Sequence, residues 1–432
     1  MRRSLRAAFL CLLAAGTAHA GERPTLRLVW FCAHLKGAIA RLATEYPKAQ
    51  VSVDCLPFHE WHDRIVKGFE EKSGADLVML DSQFLGEAVT GKHVVELTDW
   101  MRGRVDLADF VPAALTGYGE YPQGARRYWA VPGLADTQVL VYRRDLYESA
   151  SARRAYREQT GRELRPPTTW SELLAQARFW KGSQWTKAGY AATWKGPGGY
   201  DEISTQWNQI LWSFGGELWD PKTRRVQGVL NTEPGVKALR FATDLFQTGP
   251  DGSAEFGFDE TIGALCDGTA AIGNTWFALA PRFTDARACA LAPKLGFGVV
   301  PGEVRHVISL GGQGISVSAY TRERGAALEF LEWFASKPVQ LRWVELGGAS
   351  ARRSVMNSKA YLAAEPYNRF FAQSYAKVKD FWNVPEYAAL VSAEQDSLHA
   401  AVTGKATAQA ALDELAAKAQ AILDDADRKA KK

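Results

Sequence analysis

Short apolar runs separated by helix-spaced stretches dominate the first hundred residues. Thr25–Cys32 (TLRLVWFC), Val51–Leu56 (VSVDCL) and Ala75–Leu80 (ADLVML) are rich in branched and apolar residues and read as buried strands. Between them, Ala38–Tyr46, ended by Pro47, and His62–Lys72 read as helices, and another runs from about Gln83 to Thr90. Strand, helix, strand, helix, strand at this spacing predicts an open parallel sheet with crossover helices. Ligands in such sheets sit outside the carboxyl ends of the strands. The positions to watch are therefore Ala33-His34, Phe58–Trp61 and Asp81–Gln83.

Further along, Val139–Tyr142 (VLVY) reads as a strand leading into an Arg-rich helical stretch, and Thr169 is placed to cap a helix from Trp170. Trp194, Trp207, Trp212 and Trp219 cluster among glycines. Gly268–Trp276, Phe297–Pro301 and the Gly-rich Ser309–Ser316 (SLGGQGIS) read as strands, and Ala326–Ala335 as an amphipathic helix. The Ala-rich tail from about Thr407 carries Leu412, Leu415, Ile422 and Leu423 on one face, which predicts docking on the body.

The N-terminus changes the picture. Arg2, Arg3 and Arg6, the apolar Ala7–Ala15 and the small residues of Ala18-His19-Ala20 have the layout of a secretory signal cleaved after Ala20. That apolar stretch is shorter than the roughly 20 residues a membrane span needs. Cleavage takes three arginines from 52 basic residues, leaving 49 against 48 acidic ones, a net charge of +1. Near-neutrality argues against nucleic acid as a partner. Cys32, Cys55, Cys266 and Cys289 remain; in an oxidising compartment they predict two disulfides, and the sequence-local pairing Cys32–Cys55 and Cys266–Cys289 is favoured among three connectivities. The CxxC spacing of a zinc site is absent. Fifteen tryptophans point mildly to flat ligand faces, although most must be core.

Several segments together resemble the extracellular solute-binding proteins of sugar-importing ABC transporters, the group that includes maltose-binding protein. They are Ala75–Ser82 (ADLVMLDS), Ala130-Val131-Pro132 with Asp136-Thr137 and Leu140–Leu146, Gly268–Trp276, and Leu310–Ser316 followed by Ala327–Phe334. Pro166–Leu173 and Leu346–Val355 also match in type. The resemblance implies an α/β, two-lobe periplasmic binding protein fold (type II), each lobe a mostly parallel sheet flanked by helices. It implies a first lobe of residues 21–134 plus 303–338 and a second of 135–302 plus 339–432. Crossings are expected near Leu134–Gln138, Val299–Gly302 and Ser336–Gln340, with ligand held between lobes that close on it. Disulfides should then stay within a lobe. The implied setting is the periplasm, the implied partner a transmembrane permease, the expected state a monomer, and no cofactor is expected.

Sugars present hydroxyls at their edges and C–H patches on their faces, so a binder needs polar acceptors and aromatic platforms. Asp81 and Ser82 follow a strand end, where Asp81 accepts hydroxyls or caps the next helix. In His59-Glu60-Trp61-His62-Asp63 the histidines stand three apart, unlike the four of a zinc-protease helix. Trp61 as a platform and Glu60 as an acceptor compete there with ordinary packing and capping. His34 donates to a hydroxyl or lies on the surface. Asp136 is placed at the first crossing, or in a turn. Trp194 and Trp276 are candidate platforms, while Trp207 and Trp212 read as core. Asn274 offers an amide, Gly311 and Gly312 allow close backbone approach, and Gln313 reads a hydroxyl. Arg352 or Arg353 clamps hydroxyls, the other being a surface charge.

The leading expectation is thus a binding protein and not an enzyme. No GxxxxGK[ST] phosphate loop occurs, so the chain itself would not hydrolyse ATP. The alternatives are a secreted glycoside hydrolase or lyase, which needs two carboxylates flanking its bond, and a binder of a different solute. Iron binders of this type use adjacent tyrosines, absent here, and a polyamine binder needs a strongly acidic cleft.

Overall fold

The computed structural model describes residues 23–31 and 37–431. The export signal, Cys32 and His34 lie outside the described residues, and with them the Cys32–Cys55 pairing and the His34 contact.

Among the described residues the strands are β1 (Thr25–Phe31), β2 (Gln50–Leu56), β3 (Leu77–Asp81), β4 (Val131–Arg143), β5 (Ala188–Ala191), β6 (Ala270–Trp276), β7 (Leu295–Val299), β8 (Ile308–Val317) and β9 (Val378–Lys379). They run in the order β2-β1-β3-β8-β4-β6-β5, with β7 on β4 and β9 on β8. β1 lies parallel to β2 and β3, as apolar runs joined by crossover helices require. β8 joins β3 antiparallel.

β4 is shared between two sheets. Its first part, Val131–Thr137, pairs with β8, and the remainder, from Gln138, pairs with β6 and β7. Almost all of it is buried, and the polar triplet Asp136-Thr137-Gln138 stands where the strand passes from one sheet to the other. Two lobes result. In the first, helix Arg324–Ala335 turns Phe330, Leu331 and Phe334 inward, and Trp30 meets Phe334 and Trp343 edge-on. In the second, helix Glu202–Ser213 is buried along its whole length, covered in part by helix Tyr387–Val402. The tail helix Ala408–Ala430, capped by Thr407, docks with Leu412, Leu415 and Leu423 buried. Cys266 and Cys289 form a disulfide within the second lobe.

Two of the three crossings lie away from their expected places. Gly302 stays with the second lobe, accepting from Trp170 N at 2.8 Å, and the passage is made by the start of β8, where Ser309 Oγ donates to Thr205 O. Ser336–Gln340 does not cross. Pro338 fits the first turn of a new helix, Lys337–Glu345, where its missing N–H costs nothing. That helix packs on the first lobe, with Arg342 Nε donating to Glu45 Oε1 at 3.0 Å, and Ala349 O still accepts from Ala135 N. The chain returns to the second lobe only beyond Met356; helix Asn368–Tyr375 packs on β7 and β4.

Candidate functional site

Strand register assembles one wall. Asp81 ends β3 opposite Gln313 of β8, and Asp136 of β4 lies opposite Gly311. Gln313 Nε2 donates to Asp81 Oδ2 at 3.2 Å. Asp81 also accepts from Ser82 N at 2.9 Å, so it caps helix Ser82–Thr90 while facing a cavity. Asp136 accepts from Thr137 N at 2.8 Å and Ala278 N at 3.1 Å.

Trp276, at the end of β6, lies over Gly311: a Cβ there would come within 2.6 Å of its ring, so any larger residue displaces the indole. Gly312 has φ +103°, and a Cβ would fall 2.3 Å from Leu134 O. The two glycines are thus needed for the closeness of β4, β8 and Trp276.

The opposite wall is the Gly-rich loop 196–201 of the second lobe. Its Tyr200 reaches across to the first lobe, donating to Asp81 Oδ2 at 3.3 Å and accepting from Gln83 Nε2 at 2.7 Å. Between the walls lies a cavity of about 520 Å³, within the usual range for small-molecule sites. Phe31, Tyr200, Phe258, Trp276 and Phe381 supply its aromatic surface. Asp81, Asp136, Asp201 and Glu202 line it, with Glu255, Asp259 and Glu260 as further carboxylates and Lys195 as the one lysine or arginine among the described lining residues. Asp259 is paired with Arg282.

Burial governs the charge state of this wall. Loss of water lifts the pKa of Asp81 to about 7, against the hydrogen bond from Gln313. It lifts Asp136 to about 8, against the backbone donors Thr137 and Ala278, with the Asp81 charge adding to the rise. Asp201 is pushed well above the carboxylate range, first by burial, then by Glu202, Asp81, Glu394 and Asp136. Among the described lining residues, three buried acceptor oxygens have no hydrogen-bond partner: Gln83 Oε1, Gln313 Oε1 and Asp201 Oδ1.

Of the residues singled out from sequence, Asp81, Asp136, Trp276, Gly311, Gly312 and Gln313 converge on this cavity. The other described ones lie elsewhere. Trp61 is fully buried in the first lobe between Phe31 and Phe84, its Nε1 donating to Met79 O at 3.1 Å, so it offers no free face. Trp194 is equally buried, edge-on to Phe246. Glu60 sits in the exposed first turn of helix Phe58–Glu70, outside the described lining. Ser82 Oγ donates to Asp380 Oδ1 at 2.9 Å and ties the first lobe to the segment after β9. Asn274 is spent behind Trp276: it accepts from Tyr190 and donates to Gln138 and to Gln206 Oε1 at 2.9 Å. Arg352 is buried in the first lobe, donating to Asp109 at 2.8 Å and Ala335 O at 2.6 Å and lying over Phe110. Arg353, the other arginine of that pair, donates to Ala108 O.

Sequence reading marked Gln83 only as the end of the Asp81–Gln83 stretch and passed over Lys195, Tyr200, Asp201, Glu202 and Phe381. The signal available was the run Gly196–Glu202 (GPGGYDE), a Gly-rich loop delivering an aromatic and two acids to a helix start.

Residues 33–341 match the bacterial extracellular solute-binding protein family, and the chain belongs to it. It is 25% identical over 337 residues to a probable amino-acid ABC transporter periplasmic-binding protein of Sinorhizobium fredii, covering 75% of this chain and 70% of that one. It is 24% identical over 306 residues to the mannitol-binding protein of Pseudomonas aeruginosa, covering 66% of each. Its fold matches an ABC transporter solute-binding protein from Agrobacterium radiobacter K84, crystallised with ribitol, at a TM-score of 0.77 and 25% identity, covering 93% of this chain and 99% of that one. The fold is therefore the two-lobe, type II periplasmic binding architecture, and the relatives are binding proteins.

Proposed function

We propose that this chain is the exported capture component of an ABC importer and holds a polyhydroxylated solute, a sugar or polyol, between its lobes. The observation that carries this reading is the pair of buried, unpartnered amide oxygens, Gln83 Oε1 and Gln313 Oε1, on a cavity walled by Trp276. Hydroxyl groups supply the missing donors, and the indole face suits the C–H side of a ring or chain. The mannitol and ribitol named for two relatives fit the same chemistry.

Asp81 and Asp136 act here as acceptors, and no bond is broken. The lobes rock about the middle of β4, the start of β8 and the stretch beyond Met356, and ligand favours the closed form because it touches both walls. Residues 1–20 direct export and are removed, and the mature monomer delivers its load to a membrane permease.

A thermal-shift screen of the purified mature protein against mono-, oligosaccharides and polyols tests this. One or more hits, recovered chemically unchanged after incubation, are expected. Cleaved products would replace the reading with an enzyme, and an absence of hits across the screen would remove it.

A further inference from the structure

Three deeply set carboxyls of the cavity belong to three different parts of the fold. Asp81 ends β3 in the first lobe, Asp201 opens a helix in the second, and Asp136 stands on the strand that joins them. Each is at most 7% exposed. Asp81 and Asp136 are met by neutral donors only, and Asp201 Oδ1 by none. Lys195 acts on Glu202 instead.

From this arrangement we infer that the solute carries a protonated amine as well as hydroxyls, the ammonium sitting against Asp201 and facing Asp81 and Asp136. The inference rests on the cleft reading above and narrows its ligand class.

The physical case is one of closure. Bringing Asp201 toward Asp81 and Asp136 out of water sets like charges against one another in a medium that screens them poorly. A neutral polyol leaves that repulsion in place, or leaves the carboxyls protonated. An ammonium removes it and touches both lobes at once, which is the condition for a ligand to favour the closed form. It also carries three divergent donors, one of which can serve the Asp201 carboxyl while the others face Asp81 and Asp136. Burial first, and then the neighbouring acids, raise the proton affinity of all three carboxyls, a penalty that an ammonium in the cleft offsets. A metal ion is the poorer candidate, because among the described residues no group of three or more His, Cys, Asp or Glu is arranged to hold one.

A matched set of probes separates charge from shape: D-glucitol, its amine analogue D-glucamine (hydroxyl replaced by ammonium at one end), and N-acetyl-D-glucamine, which keeps the nitrogen but not the charge. Affinities are read by titration calorimetry on the mature protein at neutral pH and low salt. D-glucamine is expected to bind about tenfold or more tightly than D-glucitol, the difference between a charge-assisted and a neutral hydrogen bond. N-acetylation should abolish the gain. Asp201→Asn should bring the amine-to-polyol ratio close to one, and because it removes a buried uncompensated acid it should not impair folding. D-glucitol binding as tightly as D-glucamine, or an unchanged ratio in Asp201→Asn, overturns the inference while leaving the polyol reading intact. If none of the three binds but a neutral sugar does in the wider screen, the inference again falls alone. If nothing in that screen binds, both fall.

Discussion

Each lobe presents the cavity with an aspartate at the start of a helix, and the two are treated differently. Asp81 has the usual cap geometry, bonding Ser82 N, and takes further donors from Gln313 and Tyr200. Asp201 holds the same position before helix Glu202–Ser213 but makes no cap bond, and one of its oxygens has no partner. A cap residue that forgoes its bond gives up roughly 1 kcal/mol of helix stability. On the first wall the carboxylate is thus satisfied by its own lobe and by Tyr200, and the open acceptors are the amide oxygens of Gln83 and Gln313. The second keeps an acceptor in reserve, as a wall that acts on an arriving solute must.

Substitutions should break or sharpen that contrast. The largest effect is expected from Asp81→Ala, which removes a cap and strands the Gln313 amide and Tyr200 hydroxyl; urea unfolding should show a loss of about 3 kcal/mol. Asp201→Asn should do the opposite and raise the unfolding midpoint, since it deletes a buried acid without deleting a bond. A fall comparable to that of Asp81→Ala would erase the distinction between the walls.

Next in size is Trp276→Ala. Loss of the indole over Gly311 should weaken any polyol found in the screen by about 2 kcal/mol, or roughly 30-fold. Trp61→Phe is the control from the core of the first lobe: it should lower stability by about 1–2 kcal/mol and leave the affinity as it was. Equal losses of affinity in both variants would place the platform elsewhere.

The remaining expected effect is on pH. Asp81 and Asp136 hold their protons up to about 7 and about 8 in the native state, whereas an unfolded carboxyl releases its proton near 3.8. The folded chain therefore binds more protons than the unfolded one between these limits. This contribution to stability is full below the unfolded value and is lost as pH rises through 7 and 8. The urea midpoint of the ligand-free protein should be lower at about pH 8.5 than at about pH 5.5, and Asp136→Asn should flatten the slope. A midpoint that rises with pH over this range would contradict the burial of these acids.

Much of the scaffold was legible. The apolar runs at Thr25, Val51 and Ala75 became β1, β2 and β3 within a few residues, and Thr169 caps helix Trp170–Trp180 through Glu172 N. Two errors of reach are instructive. The strand read at Val139–Tyr142 extends back to Val131, because Asp136 and Gln138, polar in sequence, are buried where the two sheets meet. Ser336–Gln340, where the resemblance implied a crossing, instead begins helix Lys337–Glu345 with Pro338 in its first turn.

Tryptophans were the least readable residues. Nine of the fifteen are fully buried, Trp61 and Trp194 among them, and nothing in their local sequence separates them from Trp276. An indole is large enough to be core or platform, and only the surrounding packing assigns it.

The sequence by itself determined the alternation that makes two α/β lobes, the short-range disulfide Cys266–Cys289, and the strand-end acid Asp81, because each depends on residues close in the chain. The tertiary structure alone decided that Tyr200 and Asp201 face Asp81 from 119 and 120 residues away, and that Arg352 serves Asp109 rather than the cavity. Those pairings depend on how the lobes fold back on each other, and local hydrophobic pattern carries no record of that.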